Sequence, residues 1–100
     1  YDPKTGTWTA AGAMTTPRFG HVAVALNGGR VLVAGGEDKD LHPVASAEVY
    51  DPTSRTWTET APMGTARAFA VASPLPGGSV LVAGGFVINQ PLATAERFVP

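Results

Sequence analysis

The chain has 100 residues, 44% of them hydrophobic and 15% charged, a balance that fits a globular protein and argues against disorder. Seven Lys and Arg, scattered along a chain of formal net charge -1, form no basic stripe for a phosphate backbone, and no apolar run approaches the roughly 20 residues that span a bilayer; neither nucleic acid nor a membrane is an expected partner. Without Cys there is no disulfide, thiol nucleophile or thiolate metal site, which leaves the redox compartment open.

The 12 Gly and 9 Pro fall between short runs rich in Val, Ala and Thr, and no window shows a 3.6-residue apolar period, so many short strands are predicted. A strand D with no partner of its own is expected around Trp8. In Phe19 to Leu26, Val22, Val24 and Leu26 alternate with His21, Ala23 and Ala25, which predicts a strand A whose second face accepts only slim side chains. Asn27-Gly28-Gly29 turns the chain into an apolar strand B, Arg30 to Ala34, expected to be covered on both faces. A variable loop leads to strand C, Ala47 to Tyr50. The turn Asp51-Pro52-Thr53-Ser54 then introduces strand D, Arg55 to Thr60, because Pro sets its own φ and Asp can bond the backbone ahead. After Ala61-Pro62-Met63-Gly64 the order begins again with Ala68 to Leu75, Val80 to Ala83 and Ala95 to Phe98.

The restart is a repeat. Tyr1 to Gly36 recurs as Tyr50 to Gly85, and 20 of the 36 aligned positions are identical, which sets the architecture before any single residue does. Trp8 and Trp57, Arg18 and Arg67, and the run from Val31 to Gly36 are shared. The loops Glu37 to Val44 and Phe86 to Leu92 diverge. Both ends stop at matching points of the repeat, Tyr1-Asp2-Pro3 and Phe98-Val99-Pro100, a phasing that suggests an excerpt.

A double Gly after an apolar strand (Gly35-Gly36, again Gly84-Gly85), then an aromatic residue (Tyr50, with Tyr1 its copy) and a Trp seven positions later (Trp57, with Trp8 its copy), resembles the kelch repeat, a propeller blade of about 50 residues. The run Arg30 to Gly36 with Ala47 to Pro52 looks most like bacterial kelch proteins related to the propeller of galactose oxidase. The resemblance implies an all-β fold of four-stranded antiparallel meanders. Two repeats, 1–49 and 50–98, supply two blades' worth of strands in circularly offset phase, with no second domain. It also implies an extracellular or cell-surface address. An oxidase of that type needs copper and a Cys crosslinked to a Tyr; this chain has no Cys, so a non-catalytic role without cofactor is expected, unless a longer parent supplies the missing residues.

The glycine pairs are expected to let Tyr50 and Trp57 pack against the end of strand B, making Trp57 a buried aromatic whose truncation costs about 3–5 kcal/mol. Arg18 with Glu48, and Arg67 with Glu96, occupy matching places and are expected to pair inside each blade, because a buried charge must be matched. The competing reading aims both Arg side chains at a central pocket to grip an anionic ligand. In a meander the B-to-C and D-to-A connections emerge at one face, where binding should concentrate. Its candidates are Glu37, Asp38, Asp40 and His42 in the first loop and Phe86, Asn89 and Gln90 in the second, with Phe86-Val87-Ile88 as an apolar tip. The acids lack the glycine and closing Glu of an EF-hand loop, so no metal site is expected, and His21 is read as structural and His42 as exposed rather than catalytic.

Two blades cannot close a ring, since propellers need roughly four to eight. The strand around Trp8 should therefore complete the last blade of a neighbouring copy or of absent repeats in a longer parent. Three copies giving six blades is the preferred closure, with a protein or glycan as possible ligand. A purely structural fragment, or a unit designed to self-assemble, is the alternative.

Overall fold

The computed structural model describes residues 1–100, and it is all-β. Four strands, β1 (Val22–Ala25), β2 (Val31–Ala34), β3 (Ala47–Asp51) and β4 (Thr56–Thr60), form one antiparallel sheet in chain order. A second sheet holds β5 (Val71–Pro74), β6 (Val80–Ala83) and β9 (Ala95–Phe98), again antiparallel. Between β6 and β9, β7 (Phe86–Val87) and β8 (Gln90–Pro91) make a small hairpin. No helix is long and apolar enough to cross a membrane.

The sheets lie face to face, and the core is what they bury between them. Directly paired residues share a sheet face. Val22 opposes Ala34, Val24 opposes Leu32, and Ala34 also opposes Ala47, so these side chains form one apolar face, with Leu26 beside it. Val80 and Val82 of β6 close on it, flanked by Ala72 and Phe98. The slim strand face predicted for β1 is there: Ala23 and Ala25 point the other way and are exposed.

Strands fall close to where the sequence puts them, with three differences, the first being the β7–β8 hairpin inside the loop Phe86 to Leu92. Both A strands start later than predicted, because Gly20 (φ 67) and its repeat equivalent Phe69 (φ 57) take the left-handed conformation and break the extended run. Ahead of that break Phe19 bridges Glu37, and Ala68 bridges Phe86. The segment around Trp8 forms no sheet strand: it has one bridge, Asp2 to Thr7, and Trp8 is 82% exposed. β4 is a strand because β3 pairs with it; nothing offers Thr7 to Ala11 the same row of donors and acceptors.

The glycine pair has a different task from the one expected. Tyr50 and Trp57 do pack together, with ring centroids 5.1 Å apart and planes tilted by 47°, but Tyr50 pairs with Val31, at the opposite end of β2 from Gly35-Gly36. A Cβ on Gly35 would sit 2.5 Å from the Arg67 carbonyl oxygen, and one on Gly36 would sit 2.6 Å from that of Phe19. The pair therefore admits the D-to-A connections, and the Gly36 N–H donates to the Arg67 carbonyl at 2.7 Å. Gly85 does the same in the second copy, with Ala68 oxygen 2.6 Å away, whereas Gly84 has room, its nearest neighbour at 3.7 Å. Trp57 is half-buried rather than buried, which lowers the cost of its truncation to about 1.5–3 kcal/mol.

Candidate functional site

Two internal clamps hold the frame. Arg18 enters ahead of β1 and lies against the first sheet, where its guanidinium donates to the carbonyls of Gly35 (3.0 Å) and Ser46 (2.9 Å), to Ser46 Oγ (3.2 Å) and to Glu48 Oε2 (3.0 Å). Glu48 in turn accepts from the backbone N–H groups of Thr15 (2.8 Å) and Thr16 (3.4 Å). Both side chains are fully buried. Burial alone would raise the Glu48 pKa and is the largest influence. The Thr15 N–H, the Arg18 guanidinium and the Thr16 N–H together outweigh it and hold the carboxyl below its ordinary value.

The second clamp repeats the first. Arg67 donates to Gly84 O (3.1 Å), Thr94 O (2.7 Å) and Thr94 Oγ1 (2.9 Å), and pairs with Glu96 Oε2 at 3.2 Å. Glu96 accepts from the N–H groups of Gly64 (2.6 Å) and Thr65 (3.1 Å). Its carboxyl is also held low, burial being again the largest influence and again outweighed by these donors. Burial speaks against the alternative role of Arg18 and Arg67, gripping an anionic ligand, since every guanidinium donor but Arg18 Nε has a partner within the blade. Such a charge is spent on structure.

β1 begins and β2 ends on the same side, so the D-to-A and B-to-C connections emerge together, as the meander requires. On that face Phe69 stacks on Phe86, ring centroids 5.4 Å apart and planes 16° apart, and meets Phe19 edge-on at 6.3 Å. Phe69 is 51% exposed although its left-handed backbone disfavours any side chain there. Its ring tip rests on Gly20, where a Cβ would stand 2.8 Å away. Ile88, left-handed at φ 53 and exposed, heads the β7–β8 hairpin, with Asn89 and Gln90 exposed beside it. Phe86 and Val87 are half-buried, so the apolar tip narrows to Ile88.

The first loop is polar and self-contained. Asp38 Oδ1 accepts from the N–H groups of Asp40 (2.9 Å) and His42 (3.0 Å), and the His42 N–H is the chief influence that lowers its pKa. Glu37 is tied to Phe19 and Pro43 by backbone bridges; Asp40 and His42 are exposed, and the loop acids gather into no group that could hold a metal. His21, read as structural, is exposed on β1's approach. The structure thus brings Phe86 together with two residues that sequence reading passed over, Phe19 and Phe69. The signal was present in the repeat alignment: a bulky Phe stands in the second copy where the first has Gly.

Among known proteins, the family model of the Kelch motif matches residues 17–64. No curated protein matches the chain. The matched segment runs from just before Arg18 to just after β4, so it contains the whole four-stranded meander with its Arg18–Glu48 pair. Residues 17–64 are a kelch repeat, folded as a β-propeller blade.

Proposed function

We propose that the chain is a non-catalytic binding and assembly segment of a kelch propeller, its two repeats, 1–49 and 50–98, acting as one frame for a shared recognition face. Kelch repeats in general serve as binding modules, and a protein or a carbohydrate is the class of ligand this face suits. The observation that carries the reading is Phe69: a bulky ring kept half-exposed at a strained backbone position, on a face made of loops, is selected for contact rather than for stability. Phe19, Phe86 and Ile88 widen that surface, and Asn89, Gln90, His42 and Asp40 supply a polar rim.

Phe69→Gly tests it well, since it restores the residue that the first copy uses at φ 67 and so removes the ring while relieving the backbone. Glycan and peptide arrays probed with the chain and with this variant should show a ligand for the former and its loss for the latter. Equal binding by both would move the site elsewhere. A purely structural role, assembly and nothing more, is favoured by one observation: an outer sheet face left bare at Val71 and Leu81. No retained ligand on any array would favour it. Closure of the ring, by copies of the chain or by further repeats of a longer parent, belongs to either reading.

A further inference from the structure

The turn between β1 and β2 carries a reactive dipeptide. The chain has two Asn, Asn27 and Asn89, and only Asn27 is followed by Gly. Such a pair suits a tight hairpin, because both residues tolerate unusual backbone angles. Gly28 and Gly29 both lie at φ 80, and all three residues of the turn are exposed. The turn is closed from outside, by the Leu26 N–H donating to the Arg30 carbonyl at 2.7 Å. A Cβ on Gly28 would meet nothing within 4 Å. The Gly28 nitrogen therefore faces the Asn27 side chain with no side chain of its own to shield it and open space around it.

The other candidates lack this combination. The second copy has Pro76-Gly77 at the same place, with no side-chain amide to react. Asn89 is exposed, but the next nitrogen belongs to Gln90, whose Cβ crowds the approach and whose backbone pairs with Val87 in the β7–β8 hairpin. Asn27 also sits where the two repeats meet. Its amide stands over Gly78 of the β5–β6 turn, where a Cβ would lie 2.7 Å from Nδ2 and 3.5 Å from Cγ.

We propose that Asn27 is a site of spontaneous covalent modification, where the chain closes a succinimide on itself and opens it to isoaspartate and aspartate, loosening the turn. The Gly28 backbone nitrogen attacks Asn27 Cγ. A C–N bond forms, the Cγ–Nδ2 bond breaks, and the amide leaves as ammonia with the proton of the Gly28 N–H. Water is the one co-reactant, and nothing is oxidised or reduced. Adding at Cγ, it restores the normal peptide bond beside an aspartate. Adding at the Asn27 backbone carbonyl carbon, it leaves the chain running through Cβ and Cγ as isoaspartate. Aspartate puts a carboxylate beside Gly78, and isoaspartate adds a carbon to the main chain inside the Leu26–Arg30 closure. Buried Leu26 adjoins that closure, so the change reaches the core. None of this needs a ligand or a second copy, and it stands apart from the proposed function.

Trypsin separates the two Asn, because cuts after Arg18, Arg30, Arg67 and Arg97 release Phe19 to Arg30 and Ala68 to Arg97. When the folded chain is aged at body temperature and mildly alkaline pH, mass spectrometry should find Phe19 to Arg30 heavier by the exchange of NH2 for OH. That peptide should split into an isoaspartate and an aspartate form on a reversed-phase column, while Ala68 to Arg97 stays unchanged. The aged chain should melt at a lower temperature by circular dichroism. Gly28→Ala, which the open turn accommodates, should slow the conversion several-fold. An unaltered Phe19 to Arg30, equal conversion at Asn89, aspartate without isoaspartate, an unchanged melting temperature, or the same rate in Gly28→Ala would each overturn the proposal.

Discussion

Removing Arg18 tests the physical account of the blade most severely. Truncation to Met strips four hydrogen bonds at once and leaves Glu48, fully buried, with only the two N–H donors of Thr15 and Thr16. Breaking a buried pair from one side costs about 3–5 kcal/mol, because the remaining charge stays desolvated. Arg18→Met alone should lose that much, Glu48→Gln alone somewhat less, and the double variant much less than their sum. The coupling should therefore exceed about 1.5 kcal/mol in a double-mutant cycle. Urea unfolding, followed by Trp57 fluorescence with Trp8 replaced by Phe, gives each value. Additive losses, with coupling under about 0.5 kcal/mol as for an exposed pair, would refute the argument that the two charges are held by one another. The same pair fixes the acid response. Because the folded carboxyl titrates below its ordinary 4.5, Glu48 contributes stability at higher pH that is lost as pH falls below about 4.5 toward the folded value. Glu48→Gln should flatten that acid limb.

Further outcomes follow from the same geometry. Arg67→Met should cost less than Arg18→Met, about 1.5–3 kcal/mol, since the Glu96 side chain is 28% exposed and water can reach it; equal losses in urea melts would contradict this. Gly36→Ala should prevent folding, with Phe19 oxygen 2.6 Å from the new Cβ, whereas Gly28→Ala, at φ 80 but with nothing within 4 Å, should cost only about 1–2 kcal/mol; circular dichroism melts separate the two. Arg55, exposed at φ 58, stands where the first copy has Gly6, and Arg55→Gly should raise stability by up to about 1 kcal/mol, so a lower melting temperature would count against strain there.

Much of the fold was legible because its determinants are local or repeated. The alternation of Val22, Val24 and Leu26 is enough for β1, and the run Val31 to Ala34 for β2. The Arg–Glu pairs could be read from their recurrence, since opposite charges copied at matching places, Arg ahead of the first strand and Glu within the third, must find each other when buried. What escaped the sequence depends on contacts between distant segments. Nothing local says that Gly35 and Gly36 admit the backbone at Arg67 and Phe19, 17 or more residues away. Nor does Trp8, identical to Trp57 in its immediate neighbours, reveal that it lacks a partner strand, because pairing is a property of the neighbour. The aromatic face was missed for another reason: Phe19 and Phe69 read as ordinary apolar strand residues, and only the left-handed turn at Gly20 and Phe69 directs them outward.

Closure of a ring by copies of the chain is the assembly half of the proposed function, and the mass of the chain in solution tests it most directly. Light scattering across a wide concentration range, on a size-exclusion column, should approach a stable species at a multiple of 10.3 kDa, with three copies and six blades as the expected closure. A folded monomer at every concentration, with Trp8 still exposed to water, would contradict it.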